Sequence, residues 1–132
     1  MTAHVEQARV ARLATVGLDG RPHIVPCCFI LSNEVLYSAV DAKPKSTRAL
    51  VRLENIRAHT VVSVIIDHYD EDWTRLWWVR LRGEARVLDD GGEAADALAL
   101  LAAKYEQYQQ AAPGLPVLAI DIVELRAWRA EE

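Results

Sequence analysis

The amino-acid sequence predicts one mainly β domain over residues 1–132, a six-stranded antiparallel barrel with two or three short helices. Three observations carry that reading. Apolar residues alternate with polar ones from Trp77 to Val87, with Trp77, Val79, Leu81, Ala85 and Val87 on one face and Trp78, Arg80, Arg82, Glu84 and Arg86 on the other. Turn signals follow the early strands at short intervals, as in an antiparallel meander. Helical periodicity inside the chain is confined to two segments, one after the third strand and one before the last, which disfavours a doubly wound sheet.

Each element has its own signal. Residues 3–9 read as a short helix, and Ala11–Val16 as the first strand. Gly17-Leu-Asp-Gly20 is a hairpin turn, since glycine supplies positive φ and Asp-Gly between apolar runs favours tight reversal. The second strand, His23–Leu31, contains Pro26; a proline removes one ladder donor, so this strand is expected to be interrupted, bulged or at an edge. Ser32-Asn-Glu34 turns into the third strand, Val35–Val40. A helix follows from about Ser46 to Asn55, with Ser46 or Thr47 as cap and Ala49, Leu50, Leu53 and Ile56 as its apolar stripe. Val61–Asp67 is a β-branched strand, His68–Arg75 a polar loop, and residues 77–87 the fifth strand. Glu93–Tyr108 is helical through Ala94, Ala97, Leu98, Leu101, Tyr105 and Tyr108. Pro113 and Pro116 break it, and Val117 to about Trp128 is the last strand.

Bulk composition excludes several classes. The chain is long enough for one modest core and too short for two. A net charge of −4 argues against general nucleic-acid binding. No apolar run approaches the roughly 18–20 residues that span a bilayer, and the N-terminus lacks the apolar core of a signal peptide. The expected location is the cytoplasm, without membrane or nucleic-acid partners. Cys27 and Cys28 are neighbours on a strand and point to opposite faces, so they read as two reduced thiols, not as a shared metal site.

The richest chemistry sits in Lys43-Pro-Lys-Ser-Thr-Arg48, where Lys43, Lys45 and Arg48 crowd the start of a helix in an otherwise acidic chain. Free N–H groups and the helix dipole favour an anion there, and Arg48 adds a planar fork suited to phosphate. The alternative is a solvated basic turn. His68-Tyr-Asp-Glu-Asp-Trp73 reads as an acidic loop, or as a pocket rim with Trp73 over a planar ligand; it lacks the ligand spacing of a zinc or calcium site. His23 and His59 are isolated. No G-x-S-x-G, C-x-x-C, P-loop or G-x-G-x-x-G is present, which leaves the chemistry to a cofactor.

The runs Ala11-Arg-Leu-Ala-Thr-Val16, Asp19-Gly-Arg-Pro-His-Ile-Val-Pro26 and Leu36-Tyr-Ser-Ala-Val-Asp-Ala-Lys-Pro-Lys-Ser-Thr-Arg48 resemble the pyridoxamine 5′-phosphate oxidase-like split β-barrels. Asp67-His-Tyr-Asp-Glu-Asp-Trp73 with Leu76-Trp-Trp-Val-Arg80 resembles their actinobacterial deazaflavin (coenzyme F420)-dependent branch. The resemblance implies a split barrel and a homodimer with the cofactor between subunits. It implies His23, Ile24, Val25, Pro26 and Cys27 along the ring, largely through backbone. It implies Val40, Asp41, Lys43, Lys45, Thr47 and Arg48 around the ribityl chain and phosphate. Trp78 and Arg80 of the other subunit would close the site. The chain ends Trp128-Arg-Ala-Glu-Glu132, without the C-terminal Arg/His element of pyridoxamine phosphate oxidases, so that substrate is not implied. The expected activity is hydride transfer from F420 to a small conjugated acceptor, with Tyr69 or water as proton donor. The alternatives are an FMN enzyme of the same fold, and a carrier that binds flavin, deazaflavin or haem without turnover.

Overall fold

The first hairpin forms as its turn residues dictate. Gly20 has φ +81° and donates its N–H to Gly17 O, while Asp19 Oδ1 accepts from Arg21 N. β1 (Ala11–Val16) and β2 (Pro22–Cys27) therefore pair in register from Ala11↔Cys27 to Val16↔Pro22. These strands belong to a computed structural model, which describes residues 2–40 and 47–130, with side chains from residues 4–40 and 51–130. Preceding them is α1 (Thr2–Gln7), and following are β3 (Ile30–Ser32), β4 (Val35–Ala39), α2 (Thr47–Ala58), β5 (Val61–His68), a 3-10 turn (Trp73–Arg75), β6 (Trp77–Leu88), α3 (Gly92–Lys104), α4 (Glu106–Gln110) and β7 (Val117–Arg129).

Among the described residues seven strands form one antiparallel sheet in the order β2-β1-β5-β6-β7-β4-β3. The expectation of six strands is corrected to seven. The segment read as one strand over His23–Leu31 is broken at Cys28 and Phe29, so its two halves lie at opposite edges of the sheet. Both consequences expected of Pro26 appear, since β2 is an edge strand and the run is interrupted just beyond it. The break also determines closure. Cys27 and Ile30 are three residues apart and can be separated by no more than about 10 Å. The first and last strands of the sheet must therefore come together, which curls it into a split barrel.

At that split no neighbouring strand satisfies the backbone of Phe29, whose side chain is fully buried. Tyr105 and Lys104 do so instead. Phe29 N donates to the Tyr105 hydroxyl at 3.0 Å, and Phe29 O accepts from Lys104 Nζ at 3.0 Å and from the Tyr105 hydroxyl at 3.2 Å. The Tyr105 hydroxyl also lies 2.9 Å from the Arg9 carbonyl oxygen. This explains a second correction: the helix read as continuous over Glu93–Tyr108 breaks at Tyr105, which takes extended backbone (φ −110°, ψ 119°) and so points at the split. Burial pushes the Tyr105 phenol up to about 12 and the Lys104 ammonium down to about 8. Tyr105→Phe is expected to leave the Phe29 N–H unsatisfied and to cost about 1–3 kcal/mol. A thermal melt lowered by several degrees bears this out; an unchanged melt contradicts it.

The barrel interior holds the main core, including Leu13, Phe29, Leu36, Leu53, Ile56, Val64, Ile66, Val79, Leu81 and Ile120. α2 closes on β1 and β6 by burying Leu53 and Ile56. A smaller cluster lies under α3, where Ala94 and Ala97 meet Tyr37, Val117 and Ala119. At the edge of that cluster Arg86 bridges two carboxylates, donating to Asp121 Oδ2 at 2.7 Å and to Glu93 at 2.9 Å, and the Tyr37 hydroxyl donates to Glu93 at 2.7 Å. The Arg86 and Tyr37 bonds hold the Glu93 carboxyl down to about 2, against an ordinary 4.5. A depressed carboxyl stabilises the fold above its unfolded value and loses that effect as pH falls through its folded one. The stability difference between wild type and Glu93→Gln is therefore expected to be full above pH 4.5 and to vanish toward pH 2. Because the pair is partly exposed the effect is modest. Acid titration of both proteins by circular dichroism checks it, and a difference independent of pH contradicts it. Among the described residues no helix is long and apolar enough to cross a membrane.

Candidate cofactor cleft

Edge strand β2 pairs with β1 on one side, and no described strand pairs with its other side. Against it lies α2, and between them opens a cleft of about 360 Å³ lined by Thr15, His23, Ile24, Val25, Pro26, Val51, Arg52 and Asn55. That volume is within the range of small-molecule sites. Gly17 lets the first hairpin come close to α2. An added Cβ there would lie 3.3 Å from Asn55 Oδ1 and 3.5 Å from His23 Nε2. Asn55, buried on α2, donates its Nδ2 to Thr15 Oγ1 at 3.2 Å. That bond ties the helix to the floor of the cleft.

Arg52 is the electrostatic feature of this cleft. Its side chain is half-buried, and its inaccessible Nε has no hydrogen-bond partner among the described residues. An orphaned guanidinium N–H inside a folded protein carries a desolvation penalty unless a ligand accepts from it. Because Arg52 lines the cleft, an anion there would meet the charge of that guanidinium. Cys27 lies at the inner end of β2, in the core. Burial pushes its thiol up, and neither Ser38 nor the nearby Arg52 charge reverses that, which disfavours the thiolate.

The structure brings four of the sequence-derived candidates together on this cleft: His23, Ile24, Val25 and Pro26. Val40 is buried in the core, and its N–H donates to Pro116 O at 3.3 Å. Asp41, Lys43 and Lys45 lie outside the described residues. Thr47 and Arg48 open α2, which puts them on the helix that walls the cleft, with side chains outside the described set. Trp78 and Arg80 stand on the outer sheet face, with the Arg80 guanidinium 5.9 Å from the centre of the Trp78 ring. Within one chain β1 and β5 separate them from β2. Thr15, Val51, Arg52 and Asn55 are not among the sequence-derived candidates. The signal was present for Arg52, since it follows Arg48 by four residues and shares its helix face.

Tyr69 and Trp73 lie in the loop after β5, both exposed, and neither lines the cleft. Their loop is held by its own acids. Asp70 accepts from Asp72 N at 2.8 Å, and Asp72 caps the 3-10 turn through Thr74 N at 3.1 Å. The Thr74 bonds hold the Asp72 carboxyl below its ordinary value.

Comparison with known proteins agrees with this architecture. The model of the pyridoxamine 5′-phosphate oxidase family matches residues 1–129. A search of curated proteins finds no significant match. Among solved structures, a conserved hypothetical protein of Mycobacterium tuberculosis superposes with a TM-score of 0.76 at 20 % identity, over 97 % of this chain and 82 % of its own. A FAD-binding protein of Mesorhizobium loti gives 0.70 at 23 % identity, over 96 % and 89 %. The haem storage protein HutZ of Vibrio cholerae gives 0.74 at 12 % identity, over 97 % and 91 %. At such identities the three likenesses show the fold. The family match, extending over nearly the whole length, shows the lineage: this chain belongs to the pyridoxamine 5′-phosphate oxidase family.

Proposed function

We propose that the protein is a homodimeric cytoplasmic oxidoreductase that binds the deazaflavin F420 and passes hydride to a small conjugated acceptor. The observation that carries the reading is the orphaned Arg52 Nε in a cleft beside an edge strand. A planar heterocycle with a phosphate tail meets both demands. Its ring lies along β2, from His23 to Cys27, where the free strand edge offers backbone groups and Ile24, Val25 and Pro26 offer apolar contact. Its phosphate accepts from Arg52 and from Lys43, Lys45 and Arg48, which precede or open α2 in the sequence, and the resemblance assigns Val40, Asp41 and Thr47 to the ribityl chain. When bound, the cofactor supplies the hydride, and the protein positions the acceptor and excludes water.

A second copy completes the site. The outer face of β5, β6 and β7 carries Ile65, Trp78 and Trp128 beside the directly paired Arg80 and Arg126. That is a large apolar area for a monomer to leave in water. Its coverage by the same face of a partner would carry Trp78 and Arg80 to the other chain's cleft.

FMN is the alternative ligand. It ends at its phosphate, whereas F420 continues into an acidic oligoglutamyl tail that needs a cationic exit such as exposed Arg57. Fluorescence titration of the purified protein with F420 and with FMN, alongside light scattering, tests the reading. Saturable F420 binding at least about tenfold tighter than FMN, on a particle of twice the chain mass, is expected. Tighter FMN binding replaces the cofactor, binding without turnover makes the protein a carrier, and binding of neither overturns the reading.

A further inference from the structure

The other end of the barrel holds a second cavity that shares no lining residue with the cleft. There α1 lies over the barrel mouth, its Val5 buried and Ala8 packed against the core. Trp77, the first residue of β6, closes the core below it and stays half-exposed. Between them is a cavity of about 410 Å³ lined chiefly by His4, Arg9, Asp67, His68, Arg75 and Trp77. Mouths of β-barrels are frequent ligand sites.

The lining is aromatic below and cationic at the rim. His68 pairs across the ladder with Trp77, their rings nearly parallel at 18° with centres 6.4 Å apart. The His4 ring meets the same indole at 53° and 5.8 Å. Asp67 is the one carboxylate of the lining, and its charge is taken by Arg12, which donates to it at 2.7 Å from outside the cavity. Arg9 and Arg75 therefore supply the cations of this mouth, with the Asp70 carboxylate beside Arg75. Arg9 donates Nη1 to the Lys104 carbonyl at 2.7 Å, which anchors it. Arg75 reaches Asp70 only at 3.6 Å, through Nε, an acid it shares with His68 at the same distance. Its guanidinium fork is thus available to a planar acceptor.

We propose that this barrel mouth is a second binding site, for a flat aromatic carboxylate whose ring packs on Trp77 between His4 and His68 and whose carboxylate meets Arg75 and Arg9. Neutral aromatics lack the charge that two guanidiniums favour, and aliphatic acids lack the flat face that three rings favour. The site stands independently of the cofactor proposal, because no residue serves both.

The test follows the Trp77 indole N–H resonance during titration with 2-naphthoate, 2-naphthamide and cyclohexanecarboxylate. The expected result is a saturable shift with 2-naphthoate, with the other two binding at least about tenfold more weakly. Arg75→Ala and His68→Ala, both exposed, should weaken naphthoate binding by about tenfold while Arg52→Ala leaves it unchanged. A non-saturating shift, an equal response to all three probes, or a loss of binding in Arg52→Ala overturns the proposal.

Discussion

Gly83→Ala is expected to destabilise this protein severely. Gly83 sits on β6 where the ladder with β7 slips: Arg82 pairs with Glu124 and Gly83 with Ile122, leaving Val123 as the extra residue of a bulge. The slip brings the β7 backbone onto Gly83, where an added Cβ would collide with the Asp121 carbonyl oxygen and lie 2.8 Å from Ile120 Cγ2. A flexible side chain can yield, but the Asp121 carbonyl is fixed in a ladder on both sides, pairing with β4 at Val35 and with β6 at Glu84. Relief requires opening the longest strand pair in the molecule. Overpacking costs of roughly 1–3 kcal/mol rise when backbone must move, so about 3–5 kcal/mol is expected. That is a large share of the ~5–15 kcal/mol that typically holds a domain together. Gly92→Ala is the control: nothing lies within 4 Å of its added methyl, at the first residue of α3. It should melt at or slightly above the wild-type temperature. Equal melting of Gly83→Ala and wild type would refute the bulge argument.

The second large effect concerns the cations at the start of α2. If Lys45 and Arg48 hold the cofactor phosphate with Arg52, each contributes charge-assisted hydrogen bonds of roughly 1.5–3 kcal/mol. Removing one should weaken binding about 10- to 150-fold, since each ~1.4 kcal/mol is a factor of ten. Arg52→Ala carries a further signature. Among the described residues the Arg52 Nε has no partner in the unliganded protein, so truncation removes an orphaned donor. Its melting temperature without ligand should hold or rise while its affinity falls. A residue of merely structural importance would lose both.

Much of the barrel was legible because its signals are local. The period-two pattern of residues 77–87 set β6, Asp19-Gly20 set the first hairpin, and Pro26 announced an edge and an interruption. What stayed hidden depends on contacts distant in sequence. The split at Cys28–Phe29 is stabilised by Tyr105, which lies 76 residues from Phe29 and had seemed part of a helical stripe. A tyrosine at an apolar helix position does not reveal whether its hydroxyl has a partner elsewhere. The site shows the same division. His23 to Pro26 were named through resemblance and do line the cleft, whereas Asn55 required knowing which face of α2 meets β1. The aromatic lining at the other end escaped entirely, since His4, His68 and Trp77 are brought together only by the closed barrel.

The central claim is that the start of α2 and the adjoining cleft hold a cofactor phosphate, and a titration tests it most directly. Wild type, Lys45→Ala/Arg48→Ala and Arg57→Ala are each titrated with F420 and with FMN, with melting curves recorded for the unliganded proteins. Exposed Arg57 serves as the helix-surface control. The account predicts that the double variant loses saturation with both ligands while its unliganded melt barely changes. Arg57→Ala should bind FMN as wild type does and weaken with F420 alone, through the oligoglutamyl tail. A double variant that binds both ligands as tightly as wild type would contradict the account and move the phosphate site elsewhere.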